Sequence, residues 1–334
     1  MTRRGFSKIE LLVVIGVIGL LLGLLLPALQ GSREASRRIQ CQGHLKQIGV
    51  AIAAFETEHR RFPFYDEGDV GFLAALLPYV EQRPLYERIS DLNRRIRSPA
   101  KSGVTQEELW AVQTARPEFY ACPSDPAITA MYSGGKQPPD LFPSSQSLPS
   151  SYAGNQGSGT HTYGYNGLFT FLHGSPVLTP DGKKPMYLMG PVRVSDIIDG
   201  LSNTAAVSER LAGDGSRDPR RVLWMLEHSH EEFDDILDAC RALPVDSPQI
   251  QGDKWRSGRP WLKGPPYDHA VTPNQLSCLP NGSYPTAIRP ATSLHGGGVH
   301  LLYADGRVEF VNESIDLQVW RDLGSRAGEK VFRN

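Results

Sequence analysis

Apolar positions fall into three regimes along this chain. From Leu11 to Leu29 they are continuous: 19 residues of Leu, Val, Ile, Gly, Ala and Pro, with no charge and no hydrogen-bonding side chain. As a helix this run spans roughly 28 Å, the hydrocarbon thickness of a bilayer. From Ser32 to Phe55 there is no proline, and Ile39, Leu45, Ile48, Ile52 and Phe55 recur at helical spacing. That stripe predicts an amphipathic helix, resuming after Pro27 and running to about Glu58, with one face for a sheet. Beyond it, short apolar stretches alternate with Gly- and Pro-rich breaks, the pattern of strands and turns.

Within the third regime, Leu73, Leu76, Leu77, Val80 and Leu85 predict a helical face over Gly71 to Ile89, broken at Pro78 and Pro84. Asp91 to Gln113 is polar and helical in part. Phe119 to Pro126 predicts a short strand ended by a proline-bracketed turn. Ser151 to Asn155 and Tyr163 to Gly167 predict short strands with tight turns. Val194 to Gly200 predicts a turn of helix with Ser195 as N-cap and Gly200 as stop, leading to a strand over Ala205 to Ser208 and then Glu209. Val299 to Ala304 and Arg307 to Val311 flank Asp305-Gly306, which predicts a hairpin with a type I′ turn. Ile315 to Leu323 predicts a final short helix. Tyr132 to Gly159 and Val245 to Pro290 read as loop-rich.

Composition sharpens this picture. With 33 Gly and 26 Pro in 334 residues, a turn-rich body with long loops is expected. The net charge of −1 is uneven. Arg3, Arg4 and Lys8 hold the N-terminus on the cytoplasmic side of a membrane, although Arg33, Arg37 and Arg38 weaken the contrast. The acidic remainder argues against nucleic acid as a partner. The four cysteines, Cys41, Cys122, Cys240 and Cys278, contain no Cys-x-x-Cys pair. Export would permit disulfides. Sequence does not choose among the three pairings. Cys41 with Cys122, tying the helix to the body, and Cys240 with Cys278 is the pairing carried forward, beside the alternative of four buried thiols.

The N-terminus carries the most specific signal. A secretory signal peptide has a shorter apolar core followed by a small-residue cleavage site. Here the small residue, Gly5, precedes Phe6, and Glu10 stands at the edge of the apolar run. An acid carried to mid-bilayer costs about 2.5–3.5 kcal/mol, so Glu10 should have a partner or a task. Gly5, Phe6, Glu10 and Leu11-Leu12-Val13-Val14-Ile15 resemble the prepilin motif of type IV pilins and of the pseudopilins of type II secretion. Ser7-Lys8 stands where that family has Thr-Leu. The resemblance implies cleavage by a prepilin peptidase between Gly5 and Phe6 and methylation of the Phe6 amine. It gives Glu10 an assembly role, neutralising the amine of a neighbouring subunit, and makes Pro27 a helix kink. An ordinary signal anchor whose Glu10 merely pairs with Lys8 is the alternative, but hydropathy alone would not produce Gly-Phe-x-x-x-Glu.

Interior segments add a second resemblance. Ala35 to Cys41, Leu45-Lys46-Gln47-Ile48-Gly49, Phe62-Pro63, Leu77 to Gln82, Phe119 to Pro126, Asp199 to Glu209 and His295-x9-Asp305-Gly306 resemble a family of pilin-like proteins abundant in planctomycete-type bacteria. With the patterning, this implies an α+β pilin-like fold: a long N-terminal spine helix packed on an antiparallel β-sheet body with long loops. The expected parts are a leader at 1–5, a transmembrane half of the spine at 6–29, an amphipathic half at 30–60, and a body at 61–334. Loop-rich insertions fall at about 127–160 and 245–290.

Candidate chemistry is sparse. His295 reads either as an acid/base or ligand with Asp305, or as a hydrogen-bonded anchor for the glycine turn Gly296 to Gly298. The second is favoured, because an antiparallel hairpin carries Asp305 up to ~20 Å away at 3.3 Å per residue. Asp199, Asn203 and Glu209 offer oxygens for Ca²⁺, but their spacing is not an EF-hand, and buried hydrogen bonding is favoured. His228-Ser229-His230-Glu231-Glu232 with Asp234 and Asp235 reads as a solvated face rather than a metal site. Ser124-Asp125 reads as a turn, and the tyrosines near 152–165 as ordinary strand residues rather than a sugar platform. No catalytic residue, metal or cofactor is expected. The predicted function is a membrane-anchored pilin-like or pseudopilin protein, single-pass in the cytoplasmic membrane. Its body would lie outside as a filament subunit or surface or secretion component, with other pilin-like subunits or secretion machinery as partners. The alternative is a tethered carbohydrate-binding protein or hydrolase, which paired carboxylates 5–10 Å apart in a deep cleft would favour.

Overall fold

The structure is a computed structural model. It describes residues 8–64, 66–67, 70–97, 104–105, 107–108, 111–112, 115, 117–128, 150–158, 166–170, 177–178, 185–186, 191–212, 218–221, 223–226, 233–242, 250–251, 266–280 and 288–328. Helix α1 runs from Lys8 to His59, 52 residues, and passes through Pro27 without interruption. Further helices whose bounds fall among the described residues are α2 (Phe72–Ala75), α3 (Arg83–Arg97), α4 (Phe233–Ala242) and α5 (Leu317–Gly324). The strands are β1 (Asp66–Glu67), β2 (Val70–Gly71), β3 (Tyr152–Asn155), β4 (Val177–Leu178), β5 (Pro185–Met186) and β6 (Ala205–Glu209). They continue with β7 (Leu223–Leu226), β8 (Ile250–Gln251), β9 (Pro266–Tyr267), β10 (Ser277–Pro280), β11 (Gly298–Tyr303) and β12 (Val308–Asn312).

The two halves of α1 live in different surroundings. The apolar side chains of Ile9, Leu11 to Ile15, Val17, Ile18 and the leucines from Leu20 to Leu29 are all exposed. This half is long and apolar enough to cross a membrane. The other half buries Cys41, Leu45, Ile48, Ile52 and Phe55, a 4-3-4-3 spacing that keeps one face on the body. Ile39, assigned to that stripe from sequence, is 69% exposed. It lies two residues before Cys41, about 200° around the helix, so Cys41 takes the inward position.

Against this face lies a sheet of order β12-β11-β6-β3-β9. The first four strands are antiparallel, and the two-residue β9 joins β3 in parallel. Side chains alternate across the sheet. Tyr152, Val207, Leu302 and Val308 pack with α1, α2 and α3 on one face. Ala153, Ala205, Leu301 and Tyr303 pack on the other face with Trp320 of α5. Gly49 lets α1 settle closely: a Cβ there would sit 2.9 Å from the Leu302 methyl. A second sheet, β10-β7-β8, and α4 carry a smaller cluster in which Cys240 and Cys278 are bonded, Cα atoms 6.1 Å apart.

Several local expectations are corrected. Phe119 to Ala121 is not a strand: Glu118–Tyr120 forms a 3₁₀ turn, entered through Pro117 at φ −59° and closed by the Ala121 amide on the Glu118 carbonyl. The turn at Val194–Asp196 is not capped by Ser195; the Asp196 carboxylate reaches back to the Arg193 amide at 2.8 Å. The hairpin turn is not type I′. Positive φ falls on Gly306 (+86°) and not on Asp305. The Gly306 amide donates to Tyr303 and the Tyr303 amide to Arg307, which is a type I turn closed by a left-handed glycine. Leu76–Ile89 resolves into a 3₁₀ turn at Leu77–Val80 followed by α3.

Candidate functional site

At one end of the main sheet the alternation brings polar groups under α1. Tyr152 faces Glu209 across β3 and β6, and Leu301 faces Ser208 across β11 and β6. Glu209 and His300 therefore lie next to each other, on the same face as Val207 and Leu302. The Glu209 carboxylate accepts from the His300 amide (Oε2, 2.9 Å) and lies 3.1 Å from His300 Nδ1 through Oε1. The turn before β11 adds His295, whose Nε2 is 3.2 Å from Glu209 Oε1. From above, α1 contributes Glu34, with Oε1 2.7 Å from His295 Nδ1. Glu34 also pairs with Arg37 at 2.7 Å.

Both ring nitrogens of His295 thus face carboxylates, an arrangement that favours the imidazolium form of the ring. Burial works against that charge, but Glu209 and then Glu34 outweigh it and raise the His295 pKa. Burial likewise pushes the Glu209 carboxyl up, yet His295 and His300 prevail and hold it at about 2. For Glu34 burial again opposes ionisation, and His295 with Arg37 brings the carboxyl below its ordinary value.

The cysteines complete the cluster. Cys41 of α1 and Cys122 of the 3₁₀-turn segment are disulfide-bonded, with Cα atoms 5.2 Å apart. Cys122 Sγ lies 3.6 Å from His295 Nε2 and 3.9 Å from Glu209 Oε1. Its amide donates to Ser151 Oγ at 2.8 Å, fixing this segment beside β3. Around the rim, Arg38 donates to the Gly296 carbonyl at 2.7 Å and covers the Phe310 ring at 4.7 Å. His44 Nδ1 is 3.0 Å from the Ala121 carbonyl. The adjoining cavity, lined in part by Cys122, Ser151 and Glu209, holds about 10 Å³, room for one water.

The remaining candidates separate from this cluster. Asp305 does not meet His295; its carboxylate accepts from the Arg307 amide at 2.9 Å in the turn at the opposite end of β11. Asp199 and Glu209 serve different groups, since Asp199 accepts from the Gly328 amide at 2.7 Å. Asp125 is buried against Arg221 at 2.9 Å and accepts from the Ala212 amide at 3.0 Å. Burial raises its pKa despite Arg221. Tyr152 is fully buried under α1 and offers no open face. Glu10 lies on the exposed apolar half of α1. Gly5, Phe6, the His228-Ser229-His230-Glu231-Glu232 cluster and Tyr163 to Tyr165 lie outside the described residues.

Sequence reasoning missed Glu34 and His300 and did not connect Glu209 with His295. A signal was available. Four of the segments quoted for the second resemblance contain Cys41, Cys122, Glu209 and His295, the four residues that converge here.

The architecture defines the class: an α+β protein with a pilin-like arrangement, a long apolar-to-amphipathic N-terminal helix laid on an antiparallel sheet. The chain belongs to the family described as "Protein of unknown function (DUF1559)", which matches residues 30–318. It is also similar to curated relatives. One is the type II secretion system core protein G of Pectobacterium carotovorum subsp. carotovorum, 30% identical over 84 residues, 25% of this chain and 51% of that protein. Another is the protein of the same name from Klebsiella pneumoniae, 30% identical over 66 residues, 20% of this chain and 47% of that protein. The chain spans about half the length of the curated relatives it matches. No solved structure matches it.

Proposed function

We propose that this protein is a membrane-anchored, pilin-like component of a type II secretion-type assembly. A prepilin peptidase cuts between Gly5 and Phe6, the Phe6 amine is methylated, and the exposed half of α1 holds the protein in the cytoplasmic membrane. The body lies on the extracytoplasmic side, where other pilin-like subunits are its partners.

The observation that supports this reading is the continuity of α1. A single helix is exposed and purely apolar over its first half and forms the floor of the body over its second. A cleavable signal sequence would leave the body without the preceding stretch. Here the helix that enters the core is the one that carries the membrane-length run. Similarity to the type II secretion core protein G of two bacteria points the same way. The tethered-hydrolase alternative asked for paired carboxylates in a deep cleft. At the histidine cluster Glu34 and Glu209 are bridged by the His295 ring, beside a cavity of about 10 Å³, and the wider cavity of about 410 Å³ lined by Asp91, Glu107 and Glu108 has Glu108 paired with Arg95 at 3.0 Å.

Mass spectrometry of the mature N-terminus tests the processing step. The expected product begins with N-methyl-Phe6. A mature chain that still begins at Met1 or Thr2 would overturn it.

A further inference from the structure

We propose that Cys41, Cys122, Glu209 and His295 form a zinc-binding site when the Cys41–Cys122 disulfide is reduced. The inference does not depend on the secretion role. It rests on the geometry of four buried side chains drawn from four distant segments.

One donor atom from each residue lies within 4.8 Å of all the others. The distances from Cys122 Sγ to His295 Nε2 (3.6 Å), from Cys122 Sγ to Glu209 Oε1 (3.9 Å) and from His295 Nε2 to Glu209 Oε1 (3.2 Å) define one face of the group. A tetrahedral zinc with bonds of about 2.0–2.3 Å has ligand-to-ligand edges of roughly 3.3–3.8 Å. Three edges are therefore already near their lengths in a zinc site. Opening the disulfide supplies the remaining change, because two sulfurs sharing a zinc stand farther apart than two sulfurs sharing a bond. Two thiolates, an imidazole and a carboxylate are a donor set that suits zinc by softness and charge.

The surroundings provide what a histidine ligand needs. His295 Nδ1 is 2.7 Å from Glu34 Oε1, so the ring is turned with Nε2 toward the two sulfurs and Glu209. A carboxylate behind the distal nitrogen is how metal-binding histidines are oriented and made more basic. His300 plays the matching part for Glu209, donating its backbone amide to Oε2 while its Nδ1 lies 3.1 Å from Oε1, the oxygen that faces the group. His295, Glu209, Cys41 and Cys122 are all buried, so the site is closed, as a structural zinc site is.

The chemistry balances with a dithiol as reductant. The dithiol gives two electrons and two protons to the Cys41–Cys122 bond, which becomes two thiols while the dithiol becomes a disulfide. Zinc then displaces one proton from each thiol and the Nε2 proton of His295, three in all, which pass to water. Either way α1 stays fastened to the body. A covalent bond does this when oxidised, and a metal bridge does it when reduced.

The test uses the full chain in detergent, with cobalt(II) as the spectroscopic probe and zinc as competitor. Non-reducing peptide mapping first fixes the starting state, with Cys41 linked to Cys122. Cys240→Ser/Cys278→Ser removes the other pair from the experiment. In that background the reduced protein should bind one cobalt, with tetrahedral visible bands and a thiolate-to-cobalt charge-transfer band, all displaced by zinc. The oxidised protein should show neither. Adding Cys41→Ser/Cys122→Ser should abolish the charge-transfer band. Glu34→Gln, which changes no ligand, should weaken binding about 10–100-fold. A reduced, folded protein without the charge-transfer band overturns the proposal, as does a band that survives Cys41→Ser/Cys122→Ser. A reduced chain that loses its circular dichroism and does not regain it with zinc also overturns it.

Discussion

His269 shows what a single buried residue does to the acid stability of this fold. Its ring stacks on Trp320 at 3.9 Å, with Nδ1 2.7 Å from the Trp320 carbonyl and Nε2 3.1 Å from the Tyr267 hydroxyl. Burial pushes its pKa down to about 3, more than the bond to the Trp320 carbonyl raises it. In the unfolded chain the same group protonates near pH 6.5. Between these values the unfolded state holds more protons, so stability rises with pH and is lost as pH falls from about 6.5 toward about 3. Neighbouring Asp268 acts in the opposite sense, since burial raises its carboxyl to about 6 and its contribution is lost as pH rises through that value. In His269→Gln, urea midpoints measured from pH 7 to pH 4 should depend less steeply on pH than in the wild type. An equally steep acid limb would remove His269 as the cause. At this scale the sequence shows which residues can carry chemistry but not which of them meet. Glu34 and His295 are 261 positions apart, and no local spacing encodes that contact. The pairing follows from sheet register, which sets Glu209 beside His300, and from the rotation of α1, which turns Glu34 and Cys41 inward.

Elements were more legible, and for reasons that can be named. The β11–β12 hairpin follows from two alternating runs around Asp305-Gly306, and α5 from its apolar spacing with Asp316 as cap, accepting from the Gln318 and Val319 amides. Where sequence reasoning failed, a local backbone interaction won. Pro117 turned an expected strand into a 3₁₀ turn, and Asp196 rather than Ser195 took the cap. The short β9 that joins the main sheet in parallel had no readable pattern, because two residues cannot show alternation. Glycine at position 298 is a stronger demand than the turn itself. It opens β11 opposite Asn312, and a Cβ there would collide with the Val311 carbonyl, a backbone atom of the paired strand. Gly298→Ala should therefore destabilise the protein by roughly 1–3 kcal/mol or more, because strand pairing must shift next to His295. Gly306→Asn is the control: nothing lies within 4 Å of its missing Cβ, and Asn tolerates a positive φ. Urea midpoints for the two variants should separate clearly. A Gly298→Ala loss no larger than that of Gly306→Asn would show that β11 can move without cost.

At the scale of the molecule, α1 is one rod of 52 residues, about 78 Å at 1.5 Å per residue. The apolar side chains of one half are exposed among the described residues, and the other half is fastened to the sheet by Leu45, Ile48, Ile52 and Phe55 and by the Cys41–Cys122 link. A position on the exposed half can therefore be changed without touching the core. Glu10 is such a position, exposed at the edge of the apolar run, where an acid carried to mid-bilayer would be costly. Replacing it with alanine makes insertion easier by hydropathy, so Glu10→Ala should enter the membrane at least as well as wild type. If the carboxylate neutralises the Phe6 amine of a neighbour, the same variant should accumulate in the membrane fraction and drop out of sheared or crosslinked assemblies. Glu10→Asp, which keeps the charge, should recover part of the loss. The insertion arm separates the two reasons such a variant can fail: reduced membrane content would signal a biogenesis defect, whereas full membrane content with normal incorporation would leave Glu10 without an assembly role.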